Sequence, residues 1–194
     1  MNLLIAGLVL FLGTHLLTTQ RDWRAALRKR WGKNRYKLGY ATFSLVGLVL
    51  IAVGFGSYRA AGMIEVWAPP RLFSHMALLL MMPVFVLLIA AYLPGAIKRI
   101  VRHPMLAAVR LWALAHLLSN GDAGSMLLFG GFLAWAELAR ISLKTREAIE
   151  GAAELSAMRF GRGDVVAAVA GLAVYLVVAK FVHPLVIGVQ VMVV

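Results

Sequence analysis

Cysteine is absent from the 194 residues. That one gap removes disulfides, thiolate-held zinc, iron–sulfur clusters, thiolate-ligated heme and a cysteine nucleophile together. Any metal must lean on histidine and carboxylate. Charge is also scarce: 14% of residues are charged and 62% are hydrophobic, with a mean hydropathy of +0.84. A soluble domain of this size has an apolar share nearer half, so the composition specifies an integral membrane protein. No internal repeat stands out. The net charge of +12 is large enough for nucleic-acid binding, but the cations fall where membrane insertion places them, and no nucleic-acid partner is expected.

Apolar runs near the length needed to cross a hydrocarbon core of about 30 Å lie at 2–18, 38–58, 72–93, 104–119, 124–140 and 165–192. The first run opens on Met1-Asn2 without a positive charge and precedes a basic block. That polarity is the reverse of a cleaved signal, so the run reads as a membrane helix. The fold expected is all-α: one domain over 1–194, a polytopic membrane helical bundle of about six transmembrane helices. The fourth and fifth runs carry Arg110 and Glu137 and are joined by Ser119-Asn120-Gly121-Asp122, a turn signal that predicts a tight helical hairpin.

Lysine and arginine crowd the 19–37, 94–103 and 141–164 connections, while the opposite connections carry only Arg59 and Arg71. The positive-inside rule makes the first set cytoplasmic and puts both termini outside the cytoplasm. Residues 23–30 read as an amphipathic helix lying on anionic lipid, and 147–159 as a polar surface helix; both are also explained as plain topology determinants. Pro104 suits the first turn of a helix. Pro83 and Pro184 sit inside apolar runs and predict kinks that free carbonyls. Gly47, Gly54, Gly56, Gly130 and Gly131 permit close helix contacts, within one chain or between two, so the oligomeric state stays open.

Histidine is the informative polar residue. His15, His75, His103, His116 and His183 lie on or beside apolar runs, where an imidazole is costly unless it binds something or is hydrogen-bonded to a neighbour. His103 and His116 are about 20 Å apart along one helix and on different faces, so they cannot share a small ion. Arg110 shares the face of His103; its partners are Glu137 or an anionic ligand group such as a propionate or phosphate. Lys180, one turn from His183, either snorkels outward or pairs with Asp122. A zinc or copper site would need His75, His116 and His183, with Glu65 or Asp122 in support. A bis-imidazole heme tolerates more separation and admits His15 with His116, with His75 and His183 in reserve.

Several pieces together resemble a known group. They are Gly13-Thr14-His15 with Arg21, Arg99-Ile100-Val101-Arg102-His103-Pro104-Met105, Leu111-Trp112-Ala113-Leu114-Ala115-His116-Leu117-Leu118-Ser119-Asn120-Gly121-Asp122, and His183-Pro184-Leu185. Over nearly its whole length the chain resembles the NnrU-type membrane proteins and, more distantly, zeta-carotene isomerase. The isomerase branch implies a b-type heme (heme b) held by the histidines matching His15 and His116, with redox-dependent cis–trans isomerisation of a polyene. The NnrU branch implies association with denitrification and nitric oxide reduction. Arg110 and His103 then become candidate contacts for a polar part of the cofactor. The compact, bacterial-looking chain without a transit peptide fits the NnrU branch and a bacterial inner membrane. The partners this implies are membrane lipid, a polyene or nitric oxide ligand, and a redox partner.

The Arg-His-Pro block is also similar to part of the isoprenylcysteine and phospholipid methyltransferases. Glu154 and Arg159-Phe160-Gly161 echo their next motif faintly, but the paired glutamates and closing prolines are missing. Two classes of function therefore stand: a heme-dependent membrane isomerase or redox protein, and a non-catalytic accessory subunit whose polar residues pack helices.

Overall fold

The computed structural model describes residues 1–150 and 159–191, with side chains described to Thr145 and again from Arg159. The helices run α1 (Asn2–Leu17), α2 (Arg21–Trp31), α3 (Lys33–Ala60), α4 (Arg71–Ala90), α5 (Ala96–Val101), α6 (Pro104–Ser119), α7 (Ala123–Glu150) and α8 (Arg162–Val177). A π-helical segment, Val178–Val182, leads into the short α9 (His183–Ile187). Each of the six apolar runs is helical, so the chain is an all-α, multi-pass membrane protein. Glu154 and most of the polar surface helix expected over 147–159 lie outside the described residues.

Among the described residues, four to five candidate spans meet the length and hydropathy that a bilayer demands. Four stretches are long and apolar enough alone: Lys33–Ala60, Arg71–Ala90, Ala123–Thr145 and Arg162–Ile187. α1 qualifies only together with α2, and the chain bends by 91° between them. At 16 residues each, α1 and α6 reach only about 24 Å, short of a core of about 30 Å. Thr18-Thr19-Gln20 stops α1 because both threonine hydroxyls turn back onto the last carbonyls, those of His15 and Leu16.

The chain divides into two compact units, 1–68 with 120–147 and 69–119 with 148–194. The boundary falls within the turn after α6, so the two arms of the expected hairpin belong to different units.

In the first unit α1 and α3 are antiparallel and meet through glycine. A Cβ on Gly7 would stand 2.5 Å from the Ile51 amide nitrogen, and one on Gly54 would stand 2.8 Å from the Leu4 Cα. In lipid no hydrophobic effect drives helices together, and the close approach that small residues permit supplies the van der Waals contact instead. Gly56 and Gly130, by contrast, have open space around them. The loop after α3 is stitched to the start of α7 by Ala123 N–H to Ile64 O and Val66 N–H to Gly121 O, both 2.9 Å.

In the second unit α4 packs on α6 and α8. Val84, Leu87 and Ala108 form a buried cluster, with Trp112 packed against it. Gly171 of α8 lies against the backbone of Val86, 2.6 Å from its Cα to an added Cβ. Pro83 is carried inside a continuous α4. Pro184 is preceded by the π segment, whose wider turn accommodates a residue that can neither donate nor fit under the preceding carbonyl. Asp164 ties the unit together: its carboxylate accepts the N–H groups of Ala96, Ile97 and Gly161 at 3.0, 2.8 and 2.9 Å, joining the start of α5 to that of α8.

Candidate functional site

Four of the five histidines are held in the same way. His15 Nδ1 lies 2.8 Å from Phe11 O, His116 Nδ1 2.8 Å from Trp112 O, and His75 Nδ1 3.0 Å from Arg71 O, each a carbonyl four residues back on its own helix. His183 Nδ1 lies 2.9 Å from Val189 O. A carbonyl only accepts, so Nδ1 carries the proton in each ring and Nε2 carries the lone pair. That tautomer, with its far nitrogen anchored, is the one that presents Nε2 to a metal.

In the first unit α1 brings His15 into an aromatic enclosure. Phe11 stacks on the imidazole at 4.2 Å, Tyr40 of α3 stands at 5.4 Å, and Trp135 of α7 meets it edge-on at 5.7 Å. Phe132 backs Phe11 at 5.6 Å, and Tyr36, one turn before Tyr40, adds a ring at 6.4 Å from it. Gly47 lets α3 come close enough for this, because any larger residue would strike the Phe11 backbone. Two donors in the enclosure, the Tyr36 hydroxyl and Trp135 Nε1, are buried with no partner among the described residues, and Tyr36 is only 8% exposed. Buried donors are nearly always bonded, so this pair marks a place built to meet something polar. The i, i+4 spacing of Tyr36 and Tyr40 is visible in the sequence and was the signal that could have found them; Trp135, far along the chain, carries none.

In the second unit α6 carries His116 half-buried, with the Trp112 ring at 5.3 Å, and His183 lies within electrostatic range of it. Arg110 is half-buried on the same helix. Lys180 is exposed and sits over the Phe181 ring at 5.6 Å. His103 has a local role. Its N–H bonds Val101 O at 2.6 Å around Arg102, whose φ of 59° makes the rare positive-φ γ-turn. Its carbonyl then accepts the Ala107 N–H, so His103 caps α6 with Pro104 in the first turn.

Asp122 and Glu137 are also locally engaged. Asp122 Oδ1 accepts the Ser125 N–H at 2.9 Å, which makes it the cap of α7. Burial pushes its carboxyl pKa up, but the Ser125 hydroxyl and N–H and the Tyr58 hydroxyl outweigh that and hold it below the ordinary value. Glu137 accepts from Arg140 Nε at 3.0 Å. Among the described residues no group of three or more histidines and carboxylates could hold a metal ion. The small-ion site built from His75, His116 and His183 is therefore not formed.

The NnrU protein family model matches residues 3–191. The chain belongs to the NnrU family. The match spans both units and takes in His15, the Arg102-His103-Pro104 turn, His116 and His183. No curated protein and no solved structure matches this NnrU-family chain.

Proposed function

We propose that this NnrU-family membrane protein holds a b-type heme, with His15 and His116 as the residues whose imidazoles would hold it. The donor set fits the group. With cysteine absent, imidazole is the strongest iron ligand the sequence offers, and both histidines are anchored through Nδ1 so that Nε2 is the coordinating nitrogen. The observation that carries the reading is the enclosure of His15 by Phe11, Tyr40 and Trp135, because an aromatic wall excludes water and holds a ring in one orientation. A heme there would supply one-electron chemistry, of use in reactions of nitric oxide or of a polyene. The residues themselves hold the imidazoles in one tautomer, keep the surroundings apolar, and offer Tyr36 and Trp135 as hydrogen-bond donors. On this reading the protein acts in nitric oxide metabolism in a bacterial inner membrane, with polyene isomerisation as the related chemistry.

The test is the visible spectrum of protein purified after heme-supplemented expression. A Soret band with sharp reduced bands is expected, and His15→Ala and His116→Ala should each shift or abolish them. Unchanged spectra in both variants would move ligation to His75 or His183. No heme bands in the parent protein would leave the accessory-subunit reading.

A further inference from the structure

We propose that the bend between α1 and α2 holds one anionic phospholipid, with an acyl chain in a groove between α1 and α7 and its phosphate against the cations of α2. This inference is independent of the heme reading. The groove is an open trough with a volume of about 690 Å3. Its walls are Leu16 and Leu17 from the end of α1 and Leu138 and Ile141 from α7, and Trp23 stands at its mouth.

Two features select a lipid that is both apolar and acidic. The 91° turn takes α2 off the axis of α1 just where the apolar run ends, so the basic helix begins at the rim of an apolar slot. α2 then carries Arg21, Arg24, Arg28, Lys29 and Arg30 against a single acid, Asp22, and buries none of its residues. Trp23 is 70% exposed, as suits a ring at headgroup depth. A neutral lipid would satisfy the slot and leave Arg24, Arg28, Lys29 and Arg30 with Asp22 as the one acid on their helix; a free anion would satisfy the cations and leave the slot in water.

Native mass spectrometry of the full chain, released from micelles containing equal phosphatidylglycerol and phosphatidylcholine, reads this directly. One phosphatidylglycerol per chain is expected to be retained. Arg24→Gln and Arg28→Gln should each weaken retention about fivefold. Gly13→Phe should abolish it without changing helical content, because Gly13 lines the groove and a Cβ there meets nothing within 4 Å. Ile141→Trp, on the exposed opposite wall, provides a second block should Gly13→Phe fail to fold. Equal retention of the two lipids, retention unaffected by both blocking variants, or displacement by inorganic phosphate alone would each overturn the proposal.

Discussion

Replacing Gly47 with alanine places a methyl group 2.8 Å from the Phe11 amide nitrogen and 3.0 Å from its Cα. Ordinary contact begins at 3.4 Å, and both opposing atoms are backbone, so no side chain can rotate away. α1 must retreat by about 0.6 Å along a contact that continues to Gly7 and Gly54. Overpacking of this kind costs about 1–3 kcal/mol, and the better helix propensity of alanine returns about 1 kcal/mol, so a net loss of up to about 2 kcal/mol is expected. Gly56 lies in the same helix with nothing within 4 Å, and Gly56→Ala should gain up to about 1 kcal/mol. The pair can be compared by denaturant unfolding in micelles, followed by circular dichroism. Shifts of the same sign and size in both variants would refute the claim that backbone contact through Gly47 sets the α1–α3 distance. Since Phe11 stacks on His15, Gly47→Ala should also perturb the His15 ring while Gly56→Ala leaves it unchanged.

The carboxylate of Asp164 gives a second expectation: Asp164→Ala should lower the thermal midpoint and accelerate amide exchange at Ala96 and Ile97, and unchanged exchange would contradict its role as a shared cap. Asp164→Asn keeps one good acceptor and should fall between the two. Asp122 has a depressed folded pKa, so its stabilisation is present above its ordinary value of 3.8 and is lost as pH falls through the lower folded value. Unfolding midpoints between about pH 5 and 2 should therefore drop more steeply in the parent than in Asp122→Asn; parallel curves would remove the cap from the account. Arg102 occupies a positive φ, so Arg102→Val, β-branched there, should destabilise the α5–α6 turn by about 1–3 kcal/mol, measured by the same unfolding assay.

The helices were legible because hydrophobic length is a direct physical demand of the bilayer, and all six runs are helical. Their ends were less so: Thr18 and Thr19 stop α1 through hydroxyl bonds to the chain itself, which no hydropathy window registers. The partners expected for Asp122 were read from charge alone, whereas local backbone donors claim it first: a carboxylate three residues before a free N–H needs no distant lysine. The Arg-His-Pro block was visible in the sequence, with Pro104 suited to a first turn, but the γ-turn around Arg102 through which His103 caps α6 was not. The ring enclosure of His15 was not legible, because it assembles from Phe11, Tyr40 and Trp135 on three helices. Only tertiary packing brings those positions together.

Low-temperature electron paramagnetic resonance of the oxidised, heme-loaded protein tests imidazole ligation most directly. A low-spin ferric signal from two axial imidazoles is expected, converting to high spin in either His15→Ala or His116→Ala. A parent protein with no heme signal, or one whose low-spin signal survives both substitutions, would contradict it.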